Sequence, residues 1–470
     1  MSNEAILHFH PRVPTSSAAT SPARSRLERL GLFLRHQRKS IIAIQWAVVL
    51  FYSALVVLPA FFPLPASDAH LWNNLRLCAQ FIFWGIWWPG VMLTTVALGR
   101  VWCGYFCPEG FLSELASRHG RGKPVPAWLK WSGWPFFAFV ATTVYGQLSS
   151  VYEYSEAALL VLGGSTVAAV IIGFLYGRDK RVWCHYLCPA SGVFAVLAKL
   201  APLHYKVDRE AWDQTRPEPF NCPPLVDVRR MVSASDCHAC SRCAGQRDAV
   251  TLAPRSPFDE ILDRSTPART VDAFTLLFGV LGLATVAFQW TVSPWFRALK
   301  MNTATWLVDH GHYALLADNA PWWLLTHYPE ANDVFTWLDG LMVLTYLVPG
   351  GALLGGLLLI GPYLAARLLR APGLNWQRWA LTLTPLGAAS VILGLTMTTA
   401  TQLRGEHLLL TWLPYARALL LAAGCGFSLW MAFRLAQSCG KKLQACAAWL
   451  AMCLPAGLMA ALWGMAFFVW

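Results

Sequence analysis

Charge is scarce in this 470-residue sequence: Asp, Glu, Lys and Arg make up 13% of it, and the acidic residues are the scarcer half, 25 against 37 basic. A disordered chain needs the opposite balance, low hydrophobicity and high net charge, so disorder is excluded. Glycine shows no three-residue period, which excludes a collagen-like fibre. Long polar stretches are also few, and the only one inside the chain is residues 204–270. Hydrophobic residues fill the rest: they are 56% of the chain, with 24 Trp and 25 Phe. Runs of about 20 apolar residues, long enough to cross a bilayer, recur along it. An ordinary cytosolic enzyme and a small disulfide scaffold are thereby excluded, and a polytopic membrane protein is expected.

Nine candidate spans can be read: 40–63, 75–99, 128–147, 157–177, 271–292, 335–358, 379–400, 410–433 and 443–468. The net charge of +12 invites a nucleic-acid reading, and its distribution rejects one. With a cytoplasmic amino terminus, 32 of the 37 Lys and Arg fall on inner segments, leaving Arg76, Arg297, Lys300, Arg404 and Arg417 outside. Such an excess is what orients membrane proteins during insertion. The basic balance therefore reports topology, and the implied partner is membrane lipid, with no nucleic acid. The expectation is a multi-pass inner-membrane protein with its amino terminus cytoplasmic and, after nine crossings, its carboxy terminus periplasmic. Residues 1–39 show no cleavable-signal pattern and read as a cytoplasmic tail.

One internal repeat stands out. Arg100-Val101-Trp102-Cys103-Gly104-Tyr105-Phe106-Cys107-Pro108 matches Arg181-Val182-Trp183-Cys184-His185-Tyr186-Leu187-Cys188-Pro189 at an offset of 81 residues. Each copy follows an even-numbered span at its inner end and precedes a short amphipathic stretch. Parallel repeats of this kind bring equivalent ends together about an axis normal to the membrane. The expected organisation is a tail (1–39), a four-helix membrane repeat with two C-x3-C-P motifs (40–203), a cytoplasmic insert (204–270) and a five-helix membrane domain (271–470) with an outer loop at 293–333.

Eight of the 13 cysteines fall in motifs on the cytoplasmic side, where a reducing compartment points to metal ligation or redox work over structural disulfides. The other five, Cys78, Cys425, Cys439, Cys446 and Cys453, have no ligand spacing, and most read as small apolar packing groups. In Cys237-His238-Ala239-Cys240-Ser241-Arg242-Cys243, three thiols at C-x2-C-x2-C wrap three corners of a cubane, and a fourth must come from elsewhere. The position where a bacterial ferredoxin run carries its fourth cysteine is Arg247, but Cys222-Pro223 lies upstream. Cys222, Cys237, Cys240 and Cys243 are thus a set for one [4Fe–4S] cluster. Zinc is the competitor, although separate C-x2-C pairs are its more usual spacing. Cys103 with Cys107, and Cys184 with Cys188, share a face if helical, and each motif ends on a proline that breaks the turn after the second thiol. Arg100 and Arg181 favour thiolate. If the repeats meet, these four thiols hold a second [4Fe–4S] cluster, bind a copper or iron ion, or cycle between dithiol and disulfide.

Paired V-W-C-x-Y-x-C-P motifs after membrane hairpins, followed by a ferredoxin-type insert, resemble the membrane polyferredoxin family. That family includes the NapH-, NosR- and CcoG-like 4Fe–4S proteins and the polyferredoxin subunit of ferrous-iron permease systems. The resemblance covers about residues 40–290. It implies an all-α polytopic membrane protein of about nine transmembrane helices with a small cytoplasmic iron–sulfur insert. The implied function is electron transfer between a quinone pool or periplasmic donor and a redox partner, supporting iron uptake or anaerobic respiration. A permease, cupredoxin or reductase subunit is the implied partner, and a quinone an implied further cofactor. The protein would be an electron carrier more than a stand-alone catalyst. The alternative is a metal-handling or assembly protein that binds and reduces copper or iron through Cys103, Cys107, Cys184 and Cys188. The departure from the family is the absent cysteine at Arg247.

The outer side offers weaker candidates. His310 and His312, with His327, His407 and nearby acids including Asp333 and Asp339, are possible ligands of a periplasmic copper or iron ion, while interface or capping roles suit each alone. Arg417, near the outer end of the eighth span, needs a partner or a cavity, and Glu406 is the candidate partner. His238 is expected to face solvent. All eight motif cysteines lie at the inner face of a core about 30 Å thick, and no haem-type histidine pair offers a relay across it.

Overall fold

The computed structural model describes residues 25–66, 68–216, 220–438 and 442–470; Cys439 lies outside them. Among the described residues, eight helices are long and apolar enough to cross a membrane: Arg38–Phe61, Leu75–Leu98, Ser155–Tyr176, Thr270–Gln289, Trp337–Leu368, Thr384–Gly405, Leu413–Gln437 and Lys442–Phe468. The span expected at 128–147 forms a 3₁₀ turn, Ala127–Lys130, and a 15-residue helix, Trp134–Leu148. At 1.5 Å per residue that helix rises only about 22 Å, short of the roughly 30 Å hydrocarbon core. Its two ends meet different parts of the chain. Pro135 lies beside Gly192, in the helix that follows the second motif, while the Leu148 carbonyl accepts from Thr326 N–H of the long loop (2.8 Å).

The expected tail becomes structured before the first span. Arg26–His36 is a helix capped by Ser25, and it lies on the insert: Gly31 faces Leu252 and Ala244, and Arg35 donates to the Ala244 carbonyl (2.7 Å). This helix is amphipathic rather than wholly apolar, and it covers the insert's own small core. That core gathers Tyr205, Trp212, Val228, Cys243, Ala244, Ala249 and Val250 around a two-stranded antiparallel sheet, Leu203–Val207 with Val250–Pro254, Tyr205 opposite Leu252.

Thr270–Gln289 is the most buried of the long helices. Trp337–Leu368 and Thr384–Gly405 pack on it, with Trp379 and Trp463 fully buried in the same core. The insert is pinned to this carboxy-terminal half by Arg378, which donates to the carbonyls of Ile261, Asp263, Thr266 and Gly373. Lys199 adds paired contacts to Glu260 and Asp272, each 2.9 Å. Arg417 is satisfied without Glu406: it donates to the Thr396 hydroxyl and carbonyl (3.0 and 2.9 Å) and stacks 4.3 Å from the Phe467 ring. Glu406 instead accepts from Leu71 N–H (2.7 Å) and pairs with His70.

The helix after the first motif, Pro108–Arg118, packs tightly along Ser155–Tyr176, because a Cβ at Gly173 would collide with the Ser113 carbonyl oxygen. Gly173→Val should therefore lower stability by about 1–3 kcal/mol, the cost of forcing volume into a filled contact. Gly164→Ala, where nothing lies within 4 Å, should change little. Thermal unfolding of both variants in detergent checks this.

Candidate iron–sulfur site

The two motifs fold alike. The N–H of Cys107 bonds the Trp102 carbonyl five residues back (2.9 Å), and that of Cys188 bonds the Trp183 carbonyl (3.0 Å). These wide turns replace the regular helix that four-residue spacing suggests. Pro108 and Pro189 then open new helices, a position that requires no N–H. Each second cysteine thus stands at a helix N-terminus, where partial positive charge favours thiolate, and the Cys107 sulfur accepts from Gly110 N–H (3.4 Å).

The repeats also meet. Arg181, buried, donates to the Cys103 carbonyl of the first motif. Arg100, equally buried, donates to Ser191, three residues past Cys188 (2.9 Å). The residue equivalent to Ser191 is Gly110, and a Cβ there would lie 3.5 Å from the Cys184 sulfur and 3.6 Å from Arg181 Nη1. Each leading arginine therefore reaches into the opposite repeat at the same register. Cys103, Cys107, Cys184 and Cys188 all line one cavity, together with Glu109.

The insert straddles this pair. Arg181 N–H bonds the Pro223 carbonyl (2.8 Å), and His185 Nδ1 bonds that of Pro224 (3.0 Å), next to Cys222. On the other repeat, a Cβ at Gly104 would collide with the His238 carbonyl and lie 3.0 Å from the Cys240 Cα. Cys222, Cys237, Cys240 and Cys243 line a second cavity. Their loop is bent by left-handed residues, Ala239 at φ 49° and Ser241 at φ 58°, with Ala239 N–H donating to the Cys237 sulfur (3.3 Å). The two cysteine sets therefore adjoin through the Gly104–Cys240 contact, and Ser241 bridges Tyr105 of the first motif to Tyr205 of the insert.

Four soft thiols at each cavity are the donor set that an iron–sulfur cluster takes. Arg100 Nε and Arg242 Nε are buried without a hydrogen-bond partner, and such orphaned cationic donors suit a group carrying net negative charge. Burial pushes the Cys184 and Cys237 thiols up to about 12 and Cys222 to about 11. It raises Cys107 well above the ordinary value, with repulsion from Cys184 and Cys103 adding to it. Metal binding must therefore displace protons.

Several participants escaped the sequence reading. His238 is 2% exposed, not solvent-facing, because Gly104 lets its loop press against the first motif. Glu114, also buried, pairs with Arg181 (2.9 Å), with Arg242 of the insert loop, and with Arg38 and Arg118. On the opposite face, His310 stacks on Trp306 with centroids 4.4 Å apart and its Nδ1 bonds the Trp306 carbonyl (2.8 Å); His312 lies 5.9 Å from the same ring.

Two segments of the chain, residues 80–126 and 159–207, match the 4Fe-4S binding domain family. Those segments contain all four C-x3-C-P cysteines; the insert's cysteines lie outside them. Over those two segments the chain is similar to 4Fe-4S binding proteins. It is 24% identical to the "Putative electron transport protein YccM" of Escherichia coli over 42% of this chain and 64% of that protein. Two uncharacterized proteins of Methanocaldococcus jannaschii are 26% and 23% identical, over 33% and 34% of this chain and 63% and 75% of theirs. The match thus spans a little under two-thirds of the first two relatives. No solved structure matches the chain.

Glu114 makes the site pH-sensitive in one direction. Burial alone would raise its carboxyl, but Arg181 and Arg242 outweigh that and hold it at about 2. A depressed carboxylate stabilises the fold above its unfolded value, about 4.3, and loses that contribution as pH falls through the folded value. Glu114→Gln should therefore cost on the order of 3 kcal/mol at pH 7. The gap from wild type should hold down to about pH 5 and narrow steadily below it, as denaturant unfolding at several pH values would show.

Proposed function

We propose that this protein is an inner-membrane electron carrier with two adjoining [4Fe–4S] centres. One is held by Cys103, Cys107, Cys184 and Cys188, the other by Cys222, Cys237, Cys240 and Cys243, with the insert on the cytoplasmic side. The observation that carries this reading is the packing of Gly104 against the Cys240 backbone, which puts the two sets side by side. A centre supplies one-electron storage when bound. The chain supplies the ligands, the arginines that offset charge and the exclusion of water.

The cavity under the C-x3-C-P cysteines supports a membrane-soluble quinone as the partner on that side. It holds about 260 Å³ and is lined by Trp84, Trp88, Phe83 and Tyr152 toward the far face, and by the cysteines and Glu109 at the near one. From Phe83 to Arg100 the lining climbs roughly 25 Å at helical rise, the span of an apolar tail below a polar ring. Four π-helical turns, Phe81–Trp87, Trp102–Phe106, Leu159–Gly163 and Thr275–Leu283, face it, and such turns recur at functional sites because they re-aim side chains. Electrons from a quinol would enter at the C-x3-C-P centre and leave through the insert to a soluble redox partner. The metal-reducing alternative draws on the same four thiols, and the 4Fe-4S match of the two segments that carry them favours a cluster there.

Anaerobically purified protein should contain about eight iron atoms and eight acid-labile sulfides per chain, two cubanes. Cys103→Ser with Cys188→Ser should remove about half of each, and so should Cys237→Ser with Cys243→Ser. Iron below one atom per chain, or full retention in either double variant, would refute the assignment. Gly104→Val should keep both centres yet slow reduction of the insert centre by a quinol analogue in stopped-flow absorbance.

A further inference from the structure

His238 sits between two cluster ligands, and four observations single it out. Its residue is 2% exposed. It lines the cavity shared by Cys222, Cys237, Cys240 and Cys243. Its Nδ1 is buried with no hydrogen-bond partner. The charged side chains that bear on it most are Arg100 and Arg181, with His185 beside them and no carboxylate among these neighbours. Leaving a buried imidazole nitrogen unpaired is costly, and the fold retains that cost here while satisfying His185 nearby through the Pro224 carbonyl. In either protonation state the ring carries at least one N–H to donate. The cavity presents the four thiols as acceptors, together with the Ser241 and Tyr205 hydroxyls, which are already bonded to each other.

Resting on the two-centre reading above, we propose that His238 donates a hydrogen bond to the sulfur of the insert centre and so raises its reduction potential. The physical basis is general: a hydrogen bond to cluster or thiolate sulfur offsets negative charge and favours the reduced, more negative state. His238 would then be a positioning residue that sets the direction of flow. It makes the insert centre the easier of the two to reduce, so electrons arriving at the C-x3-C-P centre pass on to it. In the C-x3-C-P set the corresponding histidine is His185, after Cys184, and its Nδ1 is already engaged by the Pro224 carbonyl; the first repeat carries Gly104 there.

The test is an EPR-monitored redox titration of the full-length protein in detergent, comparing wild type, His238→Leu and His238→Gln. Iron and sulfide counts are made on the same samples. His238→Leu should shift the reduced-to-oxidised ratio of the insert centre about tenfold toward oxidised at a fixed potential, a fall of about 59 mV for one electron. His238→Gln, which keeps an N–H, should recover most of that shift, and the C-x3-C-P centre should titrate unchanged in both. If His238→Leu retains its iron and titrates with wild type, the proposal is overturned while the two-centre reading stands. If His238→Leu loses the cluster, the glutamine variant decides: a wild-type potential supports the donor role, and a potential as low as in a His238→Ala variant overturns it. Absence in wild type of any signal sensitive to Cys237→Ser overturns both.

Discussion

The site depends on one reciprocal constraint: each repeat's leading arginine is buried inside the other repeat. Burying a guanidinium is expensive unless it is engaged. Arg181 meets that demand with Glu114 and the Cys103 carbonyl; Arg100 meets part of it with Ser191 and the Ser235 carbonyl, leaving its Nε without a partner. Neither motif can therefore keep its geometry alone. The same contacts reach the insert, since Arg242 shares Glu114 and Ser235 precedes the cysteine run. Two membrane hairpins and the polar insert are thus locked into one structure by three cations and a carboxylate, and the cysteines are carried along.

The carboxy-terminal half completes the enclosure. Val280, Ala284, Ala287 and Phe288 of the central helix, with Val391 and Leu395, form one wall of the tall cavity. Arg378 and Phe258, the latter stacked on Phe427 and set edge-on to Trp430, fasten the insert to that half. These five helices hold no motif cysteine. They shape the apolar chamber that meets the motif cysteines and keep water from it, which is how a low-dielectric site preserves its electrostatics.

Much of this was legible in the sequence because it rests on periodicity and spacing. The long apolar runs, the doubled nine-residue frame, the helix-starting prolines and the eight cysteines all report local chemistry. What was not legible depends on contacts between distant segments. Glu114 is one acidic residue in an amphipathic stretch, and nothing local marks it as the partner of four arginines. Gly104 looks like the weaker member of a repeat whose other copy has His185; only the approach of Cys240 explains why a side chain is excluded there. His238 looked exposed because polar loops generally are, and the same close approach buries it. The short helix Trp134–Leu148 was read too long because Trp128 and Trp131 continue the apolar run, whereas the structure sets them, half exposed, in a turn before Pro135. Arg26–His36 was assigned to the tail because its apolar face has no partner within its own segment.

The central claim is that two cubanes stand side by side across the Gly104–Cys240 contact. Paramagnetic centres that close perturb one another, so low-temperature EPR of the fully reduced protein is the most direct test. The account predicts a broadened, interaction-split spectrum that collapses to a single simple signal when either Cys103 or Cys237 is replaced by serine. Two independent signals that merely add, each unchanged by loss of the other, would contradict it.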